Sequence, residues 1–233
     1  MRFFMAICLY NSFICSAVEI TPMVVTIDPL DSSRSAYTTV QNLFNRNAAF
    51  EIEVFEVDFS APEPRFRLVE EPPVWVFPPT LLLQKNQSQR VQLRWLGNLP
   101  DTDKTYQISF IEQPLNLDEP SERSRLLMLL TLNLIVHIKQ DSLEPYLVVN
   151  DSSCFQSICE LWVRNNGKGA ARLSEYKVIL ELENKRTITY EKQELKSEGY
   201  DVFFAPLSES KVILPLREVN DVLIHSPKVT MSR

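Results

Sequence analysis

Two histidines and four cysteines set the chemical repertoire of this 233-residue chain. His137 stands in a long apolar run and His225 near the C-terminus, which leaves few options for general acid–base catalysis. A lone histidine in a strand is more often a packed, hydrogen-bonded group than a catalyst. No G-x-S-x-G nucleophile elbow is present. Gly97, Gly167, Gly169 and Gly199 form neither a GxGxxG nor a GxxxxGKS loop, so nucleotide phosphates have no backbone cradle. Glu51, Glu53, Glu70, Glu71, Glu181 and Glu183 read as solvated strand faces or loops, and nothing selects two of them as the acid and base of a glycosidase. The chain therefore reads as a binding protein rather than an enzyme, with no cofactor and no small-molecule substrate. The net charge of −6 gives a nucleic-acid partner no electrostatic support.

The cysteines divide into two pairs. Residues 1–17, MRFFMAICLYNSFICSA, carry Arg2, an apolar stretch and then the small residues Ser16 and Ala17. That pattern reads as a secretory signal peptide cleaved after Ala17, too short and interrupted to be a comfortable membrane span. Cleavage removes Cys8 and Cys15 and leaves Cys154 and Cys159, an even pair in an exported chain, for which one structural disulfide is expected. Zinc would need more ligands than these and the two scattered histidines supply, so no metal is expected.

Between Arg125 and Lys139 every even position is apolar: Leu126, Met128, Leu130, Leu132, Leu134, Val136 and Ile138. The odd positions begin apolar at Leu127 and Leu129 and then turn mixed through Thr131, Asn133, Ile135, His137 and Lys139. Successive strand residues point to opposite faces, so the first half of this run is hydrophobic on both. Either this chain covers both faces, or one is kept for the core of another protein.

The elements around that strand are short and β-rich, with fifteen prolines. Strands are expected at Met23–Ile27, Tyr37–Leu43 and Gln89–Trp95, the last with Val91, Leu93 and Trp95 on one face and Arg90, Gln92 and Arg94 on the other. Phe50, Ile52 and Val54 share one parity and Phe55, Val57 and Phe59 the other, which signals a bulge or a change of exposed face. Tyr106, Ile108 and Phe110 mark a further strand. Beyond a joint near Gln140–Pro145 the style repeats, with candidates at Tyr146–Val149, Glu160–Arg164, Leu173–Leu182, Thr187–Tyr190, Val202–Phe204, Lys211–Leu216 and Lys228–Met231. Asn165-Asn166-Gly167 and Glu198-Gly199 are turn signals. The expectation is an all-β protein of two consecutive immunoglobulin-like β-sandwich domains, residues 18–141 and 142–233.

Local motifs now add up to a resemblance. Pro79-Thr-Leu-Leu-Leu83 leading to Gln89-Arg-Val-Gln-Leu93, Leu99-Pro100 with Tyr106 and Ile111-Glu-Gln-Pro114, and Val163-Arg-Asn-Asn-Gly167 follow in the order found in periplasmic chaperones of the chaperone–usher pilus pathway. The chain resembles that family over essentially its whole mature length. The resemblance implies a periplasmic protein that holds pilus or fimbrial subunits by donor-strand complementation and hands them to an outer-membrane usher. Leu126, Met128, Leu130, Leu132 and Leu134 would be the donated residues, with the opposite face packed on the chain's own sandwich. The family grips a subunit's C-terminal carboxylate with a first-strand arginine and a lysine in the last strand of its first domain. Here Glu19–Asp28 holds no basic residue and the lysine position falls near His137. The candidates become Lys139, Arg90, Arg94 and His137, and the departure points to a divergent, archaic or alternate branch. The competing expectation is a secreted two-domain immunoglobulin-like adhesion or structural module, in which the 125–139 strand is ordinary core.

Overall fold

The computed structural model describes residues 17–61, 63–115, 128–155, 157–182, 186–216, 224–225 and 228–233. Residues 1–16 of the expected signal peptide, and Leu126, lie outside the described residues. Among the described residues, ten strands make the first half: β1 (Val18–Thr21), β2 (Val24–Ile27), β3 (Ser35–Asn42), β4 (Ala48–Asp58), β5 (Arg65–Leu68), β6 (Val74–Phe77), β7 (Thr80–Leu83), β8 (Ser88–Trp95), β9 (Lys104–Gln113) and β10 (Thr131–Ile138). One sheet runs β1-β3-β8-β6, and the other β2-β10-β9-β4-β5 with β7 also on β4. The inward residues of one sheet, such as Val40, Val74, Val91, Leu93 and Trp95, meet Phe50, Ile108, Phe110, Leu134, Val136 and Ile138 of the other in one core. Alternation in β8 thus has its usual cause, one face packed and one wet, whereas β9 has no exposed residue and buries Thr105 and Ser109 on its second face as well.

Three local expectations are refined. The parity switch in β4 is not a bulge, because the strand keeps one unbroken register with β9 from Ala49 opposite Gln113 to Glu56 opposite Tyr106. It is a change of exposed face: Val57 and Phe59 turn to a cleft whose other wall includes Ala205, Pro206 and Leu207. The proline-punctuated stretch from Pro62 to Pro79, where no strand is expected, holds two, β5 and β6, short enough to lie between prolines. The 125–139 run is a regular strand only from Thr131 to Ile138 among the described residues.

The second half holds β11 (Leu147–Phe155), β12 (Ile158–Asn165), β13 (Ala171–Arg172), β14 (Lys177–Glu181), β15 (Thr187–Tyr190), β16 (Phe203–Phe204), β17 (Glu209–Pro215), β18 (Ile224–His225) and β19 (Lys228–Ser232). The sheet β17-β12-β11-β18 faces the smaller β15-β14-β19 sheet and the β13-β16 pair. Leu161, Val163, Leu173, Val178, Leu180, Phe204, Val212 and Leu214 fill a second, separate core. Cys154 and Cys159 stand opposite each other in the β11–β12 hairpin and form a disulfide, both buried.

Leu173–Leu182 is not one strand. Ser174 N–H donates to Asp201 and Leu173 N–H to the Val202 carbonyl, which fold residues 173–175 into a 3₁₀ turn before β14 begins. A six-residue helix, α1 (Lys192–Ser197), lies outside the expected elements. Its start is fixed by the Glu191 N–H donating to Glu194, and Gly199 supplies the positive φ that follows its end. So short a helix offers no periodicity to detect; it buries only Leu195.

Candidate functional site

β10 has one covered and one partly open hydrogen-bonding edge. On one side it pairs with β9 along its full length, Thr131 opposite Ile111 to Ile138 opposite Lys104. On the other side β2 covers only Ile135 to Ile138. From Thr131 to Leu134 this second edge has no strand partner among the described residues. Antiparallel pairing alternates the direction of successive backbone groups. Ile135 and Lys139 donate N–H to Met23 and Ile27 on the β2 side, so Thr131 and Asn133, of the same parity, direct their N–H and C=O groups to the open edge.

The side chains on this strand require a correction. Leu134 is fully buried in the first core, and Leu132 packs partly against it. The even face is therefore the chain's own core face, not its opposite, and Leu134 is not available to a partner. That same face continues past the rim of the sandwich, where Met128 is 69% exposed and Leu130 half-buried. Leu129 is exposed as well. The strand thus carries one apolar face from the inside of this chain to the outside. Period-two alternation cannot show where along a strand its own core stops.

At the other end of β10 lies the joint between the two halves. His137 is buried, with Nδ1 3.0 Å from the Thr105 hydroxyl and its ring stacked on Phe203 at 4.4 Å between centroids. Burial, with lesser contributions from the Arg172 and Lys139 charges, lowers its pKa to about 4. It is a neutral, packed group at neutral pH and cannot serve as a cationic anchor. The Arg172 guanidinium carbon lies 5.8 Å from the centroid of the Phe203 ring. Lys139 Nζ is 3.8 Å from Glu175, and Arg172 Nη1 is 3.5 Å from Asp201. His137, Lys139, Arg172, Glu175 and Phe203 line a cavity of about 200 Å³ with Thr26 and Asp103.

Asp103 clamps the joint from beneath. One carboxylate oxygen accepts the Gln140 N–H at 2.9 Å and the other the Ala170 N–H at 2.8 Å, while its own N–H donates to the Lys168 carbonyl. Burial raises its pKa, opposed by those two N–H donors. Asn165 ties the linker from the other side, accepting the Tyr146 and Gly167 N–H groups through Oδ1. A Cβ on Gly169 would lie 2.1 Å from the Leu143 carbonyl oxygen, so the linker backbone can approach this turn only where there is no side chain.

Arg90 and Arg94 do not join this site. They are exposed on β8 in the opposite sheet, where Arg90 stacks 3.8 Å over Tyr37 and Arg94 stands across from Trp75 and Ser35. Alternation placed them on the wet face but could not say which sheet that face belongs to. Arg172, Phe203 and Asp103 are the residues that sequence reasoning missed. Nothing local marks them, since they meet His137 and Lys139 only when the two halves pack. Among the described residues no cluster of three or more His, Cys, Asp or Glu side chains is placed to hold a metal, and no helix is long and apolar enough to cross a membrane.

No protein-family model and no curated protein sequence matches the chain. Solved structures do. The class 5 fimbriae chaperone CfaA superposes with a TM-score of 0.59 over 93% of this chain and 99% of its own, at 11% identity. A chain of the chaperone–tip adhesin complex of CFA/I fimbriae biogenesis gives 0.58 over 93% and 98%, also at 11% identity. The CsuC–CsuE chaperone–tip adhesion subunit pre-assembly complex, from archaic chaperone–usher Csu pili of Acinetobacter baumannii, contains a chain that gives 0.53 over 84% and 89% at 15% identity. The chain has the two-domain immunoglobulin-like fold of the fimbrial chaperones, and the likeness at these identities is one of fold.

Proposed function

We propose that this protein is a periplasmic assembly chaperone that captures pilus or fimbrial subunits by donor-strand complementation and passes them to an outer-membrane usher. The observation that carries this reading is the open edge of β10 beside an apolar face that continues beyond the chain's own core. A subunit lacking one strand would pair with the backbone groups of Thr131 and Asn133, and so extend the sheet. Met128, Leu130 and the outer part of Leu132 would then fill its groove, and Leu126, outside the described residues, would extend the set. Each large side chain fully buried in this way contributes roughly 1.5–3 kcal/mol before ordering costs. Capture by strand addition makes and breaks no covalent bond, which accords with a non-enzymatic role. The cavity at the joint would hold the subunit's C-terminal carboxylate, with Lys139 and Arg172 as charge-assisted donors in place of the family's pair.

Paired aspartate substitutions test the reading. Met128→Asp places a charge on an exposed position, so the protein should fold but lose capture of a co-expressed fimbrial subunit. Leu134→Asp places it in the core and should prevent folding. A folded Met128→Asp variant that captures subunit as well as the parent would remove the donor role and favour the adhesion or structural module.

A further inference from the structure

The β9–β10 ladder ends in a side-chain contact. Its next pair outward is Leu130 opposite Glu112, and only half of the backbone exchange forms. Glu112 N–H donates to the Leu130 carbonyl at 2.8 Å, but the Leu130 N–H donates to the Glu112 carboxylate, Oε2, at 3.2 Å. The other carboxylate oxygen is paired with Arg46 Nη1. Arg46 Nη2 in turn donates to the Met128 carbonyl at 3.3 Å, and the guanidinium lies 4.6 Å over the Phe44 ring. The turn carrying Arg46 is itself held, since Asn42 Nδ2 donates to the Arg46 carbonyl at 2.9 Å.

The Glu112 side chain has no exposed surface, whereas that of Arg46 keeps 38%. Burying a carboxylate is costly unless it is paired and hydrogen-bonded, and an apolar residue of similar size would fill the site without that cost. The best-attested use of such buried ionic groups is to specify register. This one takes the N–H that would have continued the ladder. It also holds, through Arg46, the carbonyl two residues further out. Both held groups belong to the segment whose side chains leave the sandwich.

We propose that Arg46 and Glu112 form a latch that fixes where the segment bearing Met128 and Leu130 parts from its own sheet, and hence the register in which those side chains meet a subunit. Both are positioning residues. The inference rests on the donor-strand reading and deepens it by naming what presets the donor.

The test uses the full mature chain with Arg46→Ala, Arg46→Lys and Glu112→Gln. Amide hydrogen exchange is followed at Leu130, with Ile135, bonded to the Met23 carbonyl, as the reference within the same strand. The capture rate is measured with a refolding fimbrial subunit that lacks one strand. Arg46→Ala and Glu112→Gln should speed Leu130 exchange by about tenfold or more, leave Ile135 nearly unchanged, and slow capture by about tenfold. Arg46→Lys, which keeps the charge, should recover much of both. Leu130 and Ile135 speeding up together would reduce the pair to a general stabilising contact and overturn the proposal. Faster Leu130 exchange with an unchanged capture rate would overturn it equally. Should Glu112→Gln not fold, the half-exposed Arg46 positions still decide the matter. A parent protein that captures no subunit would sink the donor-strand reading instead, while the exchange ratio would still report whether the pair holds the segment.

Discussion

Acidification should remove the stability that His137 contributes. In an unfolded chain its imidazole titrates near 6.5, and in the fold burial lowers that to about 4. Between those values the unfolded state holds a proton that the folded state refuses. The neutral ring's contribution is therefore fully present above the upper value and is lost progressively as pH falls toward the lower one. Integrated from about pH 7 to about pH 4.5, the difference amounts to about 2.5 kcal/mol. Urea unfolding followed by circular dichroism, run at both pH values on the parent and on His137→Gln, isolates this contribution. Whatever the substitution costs through loss of the Phe203 stack and the Thr105 hydrogen bond is common to both pH values and cancels. Asp103 acts in the opposite sense, because its raised pKa adds stability as pH falls, but it is present in both proteins. With a denaturant slope of roughly 1–3 kcal/mol per molar, the parent should lose roughly 1 M more in midpoint on acidification than the variant. Equal losses would refute the reasoning, since they would mean that the folded protein admits the proton and that the stacked ring is not walled off.

Two further outcomes are expected. Gly169→Ala should lower stability by about 1–3 kcal/mol in thermal melts, because its Cβ meets linker backbone, whereas Gly199→Ala, with φ of +81° but nothing within 4 Å, should cost only about 1 kcal/mol; an unchanged melting temperature for Gly169→Ala would mean that the linker does not lie against that turn. Lys139→Ala and Arg172→Ala should each weaken subunit pull-down by about tenfold or more, while Arg90→Ala and the loop control Lys85→Ala leave it unchanged; parity among the four would remove the anchor from the joint.

What could be read in the sequence was whatever depends on near neighbours. The faces of β8 and β9 follow from alternation, and the Cys154–Cys159 hairpin from six consecutive residues. What could not be read depends on partners distant in sequence. The pattern of 125–139 gives two faces but is silent on where β2 stops covering the edge, so it does not separate Leu134, which lies in the core, from the residues beyond the rim. Charge alone groups Arg90 and Arg94 with Lys139, and only sheet order separates them. Arg172 and Phe203 reach His137 from the second half of the chain, a proximity that no local pattern encodes. The short 3₁₀ turn at Leu173 is set by bonds from Asp201 and Val202, equally remote.

The parallel pairing of β2 with β10 also governs timing. Val24–Ile27 has its ladder partner at the far end of the same sandwich, in Ile135–Ile138. A polypeptide emerging N-terminus first, from a ribosome or through a membrane pore, carries β2 without a hydrogen-bonded neighbour until nearly the whole first half has followed. Long-range pairings of this kind are slow to close because the intervening chain must first be ordered. The last piece to arrive is also the one that presents Thr131, Asn133 and Met128 to the outside. If that edge is the capture edge proposed above, its creation and the completion of the sandwich are a single event, and a half-emerged chain would have no grip to offer a subunit that reaches it early.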